Sequence, residues 1–502
     1  MRLSWTWSLY LANNSGVKVK ALSLLSLLVP CAFAWAEQET PLFDLEAIRD
    51  ASSLEVEVLQ DWRLVPGEPA TRQKLVSIKV GELLPGRPYR VPVRMVVPSK
   101  GKAKGFHLTG SHNPGGLARA VPPRGVDAEL LNGGVGLVQT VVQVLRQSGQ
   151  GELGTAADEA FVKTLDPRHS IQYWGWPATL MRAVTAAYAE KEHFKKGKVA
   201  MSGGSKNGAS PSCALIHDDR MTAVFGAVSP IWESPLRLCD RKAWDALRAY
   251  NERYADQVAS GRERFRLLRH PFLGGTFGPV YNQRAMEAGH SWEDLRKLAE
   301  RMADKVFVSR NLKALAARRA ELLFHPGTHD FVCFDLAWGG EHYPQIPLHL
   351  SPNTGHGKRG GHPGEARGEQ NKAAFLLNHF FGGDETEALL EPPTVKARRE
   401  GKLLQVEVAF KPGSAAETGR IFWMFDRGPD GSAAYVREPF PDDLWKEMTF
   451  HPDSKTWRAS IPLKAGAIRI DFFSNHRKTL RRPSGTYPTY LSSPYRRFSV
   501  KE

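Results

Sequence analysis

The chain has 502 residues, of which 42% are hydrophobic and 10% aromatic, and a formal net charge of +15. That is ample apolar material for about two to four folded domains, and a mean hydropathy of −0.37 excludes a polytopic membrane protein. The basic residues fall in short scattered pairs such as Lys195-Lys196 and Arg496-Arg497, without zinc-finger spacing or a long basic helix. This pattern disfavours nucleic acid as a partner and suits anionic envelope polymers or acidic substrates.

Residues 1–36 read as a secretory signal peptide. Lys18 and Lys20 precede the apolar run Ala21–Val29, and Ala34-Trp-Ala36 supplies a cleavage site before Glu37. The run is too short to span a bilayer, so a periplasmic or extracellular protein without a membrane span is expected. Export leaves Cys213, Cys239 and Cys333. An oxidising compartment permits one disulfide among them, and three buried free thiols are the simpler expectation.

A helix is expected over Leu42–Leu59. Alternating strands follow at Lys74–Val80 and Tyr89–Val97, with further strands at Gly105–Thr109 and Gly134–Val142. Ile171–Lys191 has helical periodicity. Val199-Ala-Met201 reads as a strand, Thr222–Val228 as another, and 240–318 as a mostly helical insertion, a candidate lid. Ser291-Trp-Glu-Asp294 has the form of a capping box. Short strands at Ala320–His325 and Gln345–Leu350 and a helix at Glu365–Phe381 complete an alternating α/β region over 37–390. Strand–helix alternation predicts a mostly parallel sheet with helices on both faces. Past Pro392-Pro393 the period becomes two, which predicts a small β-sandwich at 391–502.

The segment Val199-Ala-Met-Ser-Gly-Gly-Ser-Lys-Asn-Gly208 has the makings of a nucleophile elbow. A strand must stop abruptly there and a helix must start at once, with Ser205 on the strained residue between them. An α/β-hydrolase then needs an acid and a base, in that order, after later strands. Asp330 follows the strand ending at His325, and His356 lies in Ser351-Pro-Asn-Thr-Gly-His356 after the last one. A serine hydroxyl is a poor nucleophile, so His356 would take its proton while Asp330 orients the imidazole. The Lys206 N–H would form half of an oxyanion hole, and Ser111 or His112, in the loop after the third strand, the other half. Glu233 is an alternative acid, Asp335 a weaker one, and His362 a rival base. His325 and His329 are four residues apart, but on a loop that spacing has no metal-binding meaning, and neither metal nor cofactor is expected. Tyr173-Trp-Gly-Trp176 and Trp232 could stack on a sugar or fill the core.

The elbow Gly203-Gly-Ser-Lys-Asn-Gly208 resembles that of the PhoPQ-activated pathogenicity-related family, Gly-x-Ser-Lys-Arg-Gly. The likeness extends to Asp219-Arg-Met-Thr-Ala223, the Asp330 loop, Pro352-Asn-Thr-Gly-His356 and the β-rich tail, most of residues 70–500. It implies an exported α/β-hydrolase with Ser205, Asp330 and His356 as nucleophile, acid and base. Asn207 stands where that family has Arg. The elbow is also similar to the Gly-Cys-Ser-Arg-x-Gly-Lys motif of glucuronoyl esterases, with Lys206 in place of Arg. The expected activity is a serine esterase on an envelope or carbohydrate ester, and a cation at Lys206 would suit an anionic one. The alternatives are a secreted peptidase and a hydrolase-like binding or signalling protein without turnover.

Overall fold

The computed structural model describes residues 41–142, 150–257, 282–356, 361–364, 371–382, 388–412, 414–482 and 485–500. The expected signal peptide, the middle of the expected insertion and the start of the helix expected at 365 lie outside them. Among the described residues no helix is long and apolar enough to cross a membrane.

The first expected element is corrected. Only Leu45–Arg49 is α-helical, capped by Asp44; a short 3-10 helix follows at Ser52–Leu54, and Glu57–Val65 is a strand, β1. Val56-Glu-Val58 has the β-branched alternation of a strand, and pairing with the next strand decides the matter. That next strand, β2 (Thr71–Leu84), forms a long hairpin with β3 (Arg87–Pro98). Then come β4 (Ala103–Thr109), β5 (Gly136–Thr140), β6 (Phe194–Gly204), β7 (Ala223–Ala227) and β8 (Glu321–His325). They form one eight-stranded sheet in the order β1-β2-β3-β5-β4-β6-β7-β8. The first three strands and the β3–β5 step are antiparallel, and β5-β4-β6-β7-β8 is parallel. The stretch expected as a last strand, 345–350, meets β8 at one isolated parallel bridge, Phe324 to Leu348, and a second bridge, Gly327 to Ser351, lies just beyond both.

Helix Trp176–Ala189 lies almost wholly inside the core. It is entered through a π-turn, Ile171–Gly175. Tyr173 and Trp176 are buried in that core, and Trp232 is 1% exposed, so these aromatics are packing residues. Helices Trp292–Val306 and Val308–Ala317 pack against Lys206–His217, the helix after the elbow. The capping box at Ser291 is formed. Cys213, Cys239 and Cys333 are buried free thiols.

The C-terminal region has two antiparallel sheets. One holds β9 (Thr394–Glu400), β10 (Leu403–Ala409), β13 (Thr449–His451) and β14 (Thr456–Pro462). The other holds β11 (Thr418–Phe425), β12 (Trp445–Glu447), β15 (Arg469–Arg482), β16 (Gly485–Ser492) and β17 (Arg496–Ser499). Side chains alternate across a strand, so β11 points Ile421 and Trp423 between the two sheets. Phe422 and Met424 face the opposite way, into the core shared with the α/β layers. The inner sheet is therefore buried on both faces. The described residues from Leu42 onward form one compact body, and Pro392-Pro393 marks a change of architecture within it.

Asp430 sits in this shared core. Its Oδ2 accepts from the Trp338 amide at 2.9 Å, and its Oδ1 has no hydrogen-bond partner. Burial pushes its carboxyl up to about 6. Below the ordinary carboxylate range both the folded and unfolded chains hold the proton. As pH rises toward 6 the unfolded chain gives it up first, so stability falls through that window. Asp430→Asn should remove this cost, raising stability at pH 8 by on the order of 2 kcal/mol and changing little at pH 4. Denaturant midpoints at the two pH values test it. An equal gain at both would show that ionisation is not the cause.

Candidate active site

Strand β6 ends on Gly204, and the helix begins at Lys206 with no intervening residue except Ser205. Ser205 has φ 58° and ψ −126°, a region that L-residues rarely enter. The strain is held by its own backbone: the Ser205 N–H donates to the Ala227 carbonyl, and the Ser205 carbonyl accepts from Gly208 and Ala209, each at 2.9 Å. Gly203 must be glycine, because a Cβ there would lie 2.1 Å from the Asn207 carbonyl oxygen. This geometry lifts the Ser205 hydroxyl clear of the sheet edge.

His356 Nδ1 is 2.9 Å from Asp330 Oδ1, and His356 Nε2 is 2.9 Å from Ser205 Oγ. With Asp330 ionised, Nδ1 donates to it, and Nε2 is left to accept from the serine hydroxyl. Asp330 is fully buried and also accepts from the Val332 amide at 2.9 Å. Phe331 covers one side of the imidazole, with ring centroids 4.7 Å apart.

The loops carrying Asp330 and His356 are fastened to each other. A Cβ on Gly327 would lie 2.1 Å from the Thr354 carbonyl, so glycine allows the two backbones to touch. The His329 amide donates to Thr354, and Thr328 Oγ1 accepts from the Asn353 amide. Both loops are also held by the C-terminal region. Asn353 donates to the Phe440 carbonyl at 2.8 Å and accepts from its amide at 2.7 Å. His329 Nε2 donates to the Glu438 carbonyl. Buried Arg427 donates to the carbonyls of Thr328 and Tyr435 and to the Tyr495 hydroxyl, and its guanidinium lies 3.9 Å from the Tyr435 ring centroid.

The rival residues are engaged elsewhere. Glu233 accepts from the hydroxyls of Ser309 and Tyr343 and pairs with Arg310, and it makes no hydrogen bond to His356. Asp335 forms a buried pair with Arg237 at 2.7 Å and accepts from Ser234. Both ring nitrogens of His362 are used, toward the Pro441 carbonyl and the Gly364 amide. No group of three metal-ligating residues occurs among the described residues.

Lys206 opens the helix, where the first amides lack intrahelical acceptors. Its ammonium is half-buried, burial pulls its pKa down, and no ion pair meets it among the described residues. Ser111 forms a bridge to Val141, and His112 Nε2 lies 2.7 Å from Thr109 Oγ1. Their loop begins at Gly110, against the Asn207 side chain. Burial lowers the His112 pKa, so its ring is neutral at pH 7.

One chain of residues behind the elbow had no sequence signal. His107 Nε2 is 2.8 Å from Ser202 Oγ, and His107 Nδ1 is 3.1 Å from Asp127 Oδ1. His107 and Ser202 are each 3% exposed. Closed from solvent, they brace β6 three residues before Ser205.

The strand order and the elbow between strand and helix define the α/β-hydrolase fold. No protein-family model matches the chain. It is 34% identical over 101 residues, 20% of its length, to the probable biofilm-surface layer protein B of Bacillus subtilis, and it spans 62% of that protein. Among solved structures it is similar to acetyl xylan esterase 1 from Thermoanaerobacterium, at 14% identity over 66% of this chain and 92% of that one, with a TM-score of 0.35. It is also similar to a CE15 glucuronoyl esterase from Teredinibacter turnerae, at 14% identity over 55% of this chain and 62% of that one, with a TM-score of 0.31.

Proposed function

We propose that this chain is an exported serine esterase acting on an ester of an envelope or carbohydrate-type substrate, akin to the PhoPQ-activated and glucuronoyl esterase elbows that its own resembles. The observation that carries the reading is the hydrogen-bonded series Ser205–His356–Asp330, with Ser205 on a positive-φ turn at a helix N-terminus. In the proposed reaction His356 Nε2 takes the hydroxyl proton as Ser205 Oγ attacks the acyl carbon. Asp330 stabilises the imidazolium that forms. The Lys206 N–H, with that of Ser111 or His112, meets the oxyanion, each donor being worth about 3 kcal/mol in the transition state. His356 then returns the proton to the departing alcohol, and water repeats the sequence on the acyl-enzyme. Lys206, the residue after Ser205, has an ammonium with no ion pair among the described residues, and this supports a substrate that carries negative charge.

A fluorophosphonate probe tests the nucleophile. The expected result is stoichiometric labelling at Ser205, absent in Ser205→Ala and strongly reduced in His356→Ala. Well-folded protein that takes no label would overturn the reading. Turnover of short p-nitrophenyl esters without turnover of peptides separates esterase from peptidase.

A further inference from the structure

Phe331 stands between two buried residues, Asp330 at 0% exposed and Val332 at 1%, yet is itself 37% exposed. The local backbone accounts for this. The Cys333 amide donates to the Asp330 carbonyl at 3.1 Å, and the Val332 amide donates to Asp330 Oδ1 at 2.9 Å. The turn so closed holds Asp330, Val332 and Cys333 inward and leaves Phe331 outside. An exposed apolar side chain by itself signifies little. Phe331 differs in its neighbour. Its ring lies against the His356 imidazole, with centroids 4.7 Å apart and planes at 46°, within the range of a favourable aromatic pair. No second ring pairs with it among the described residues. Of the other exposed phenylalanines there, Phe381 ends a helix and Phe450 lies on a strand of the C-terminal region. Phe331 alone stands on a loop that carries a proposed reacting group.

The proposed reaction decides which part of a substrate meets this ring. His356 Nδ1 is held by Asp330, and Nε2 faces Ser205 Oγ. As the acyl-enzyme forms, Nε2 gives its proton to the departing oxygen, which must therefore lie within hydrogen-bond reach of Nε2. The bond that forms joins the acyl carbon to Ser205 Oγ, and the bond that breaks releases the alcohol with that proton. The alcohol thus leaves from the histidine side of the serine. The carbonyl oxygen points the other way, to the amides at the helix N-terminus. The imidazole is 28% exposed, and Phe331 flanks it. An alcohol substituent that runs along the open part of the imidazole meets the Phe331 ring.

We propose, resting on the esterase reading above, that Phe331 selects the alcohol half of the ester by packing against a leaving alcohol that carries a ring with a flat apolar face. A straight-chain alcohol of similar size gains less, because a flexible chain must be ordered against the aromatic ring. Phe331 brings no such cost of its own, since the turn and the imidazole already hold it in place. A pyranose and an aryl group both present a face of this kind.

A set of acetates on the full chain holds the acyl half constant: benzyl acetate, hexyl acetate and a glucopyranoside acetylated at its primary hydroxyl. All three release primary alcohols, and kcat/KM reports the step in which the alcohol leaves. Benzyl acetate should exceed hexyl acetate by about three- to tenfold. Phe331→Leu keeps apolar bulk and loses the flat face, so it should bring that ratio to about one, while Phe331→Trp should keep or raise it. Ethyl esters of acids of different length should keep their order in both variants, since the acyl half lies elsewhere. The sugar acetate distinguishes the source. A loss in Phe331→Leu that matches the loss on benzyl acetate marks a pyranose, and a loss on benzyl acetate alone marks an aryl group. A wild-type ratio near one, or a ratio that Phe331→Leu leaves unchanged, would overturn the proposal. So would an equal loss on every acetate with a moved acidic limb of the pH–rate profile, which would make Phe331 only a shield for the His356–Asp330 pair. Fluorophosphonate labelling keeps this assignment apart from the reading beneath it. A wild-type chain that takes no label fails as a serine hydrolase and takes the assignment with it, whereas a labelled, active chain with an unaltered ratio fails here alone.

Discussion

Ser205→Ala should leave a folded protein whose kcat on a short p-nitrophenyl ester is about 10⁴–10⁶-fold lower. Removing the nucleophile of such a series costs about as much as removing all its members, because they act as one unit. Asp330→Asn should cost about 10⁴-fold, since the amide holds the wrong imidazole tautomer while the geometry survives. The double variant should be no slower than Ser205→Ala alone. That lack of additivity is the decisive readout. A serine that served only to shape the elbow would leave turnover intact in its absence. An aspartate that served only to fold the loop would lower the melting temperature in step with the rate.

The second large effect is expected at a residue that touches no substrate. Arg427 is fully buried and joins Thr328, Tyr435 and Tyr495 through its guanidinium. Truncation to methionine strands two carbonyls and a hydroxyl out of water, which should cost roughly 3–5 kcal/mol. Thr328 lies two residues from Asp330, so the loss should reach the chemistry. At a temperature where the variant is still folded, kcat should fall more than tenfold while KM moves little. Arg427→Lys should restore part of the stability, since it keeps the charge and loses the fork. A drop in melting temperature with kcat unchanged would mean that the acid loop holds its shape unaided.

The sequence was most legible where local chemistry and global topology agree. The elbow is written in consecutive residues, because a strand-to-helix turn of this kind needs glycine at Gly203 and a small residue after it. Asp330 and His356 follow from chain order, since a parallel sheet delivers successive strand ends to one edge. The apolar spacing of Leu42–Leu59 suits either period, and only the hairpin partner of β1 resolves it. The bonds from Asn353 to Phe440 and from Arg427 to Thr328 link residues 87 and 99 positions apart. No local pattern encodes such pairs. The Asp127–His107–Ser202 chain is silent for the same reason, with its three members on three separate elements.

The fastening of both chemistry-bearing loops to residues 427–440 changes what counts as the minimal enzyme. The proposed reacting groups all lie before residue 357, and the α/β layers that display them are complete soon after Phe381. Yet the carbonyls and amides that keep His356 and Asp330 in line find their partners on the far side of Pro393. Trimming the chain at that joint would remove no reacting atom. It would leave two loops with their anchors cut, and a serine raised toward a histidine that is no longer there to meet it.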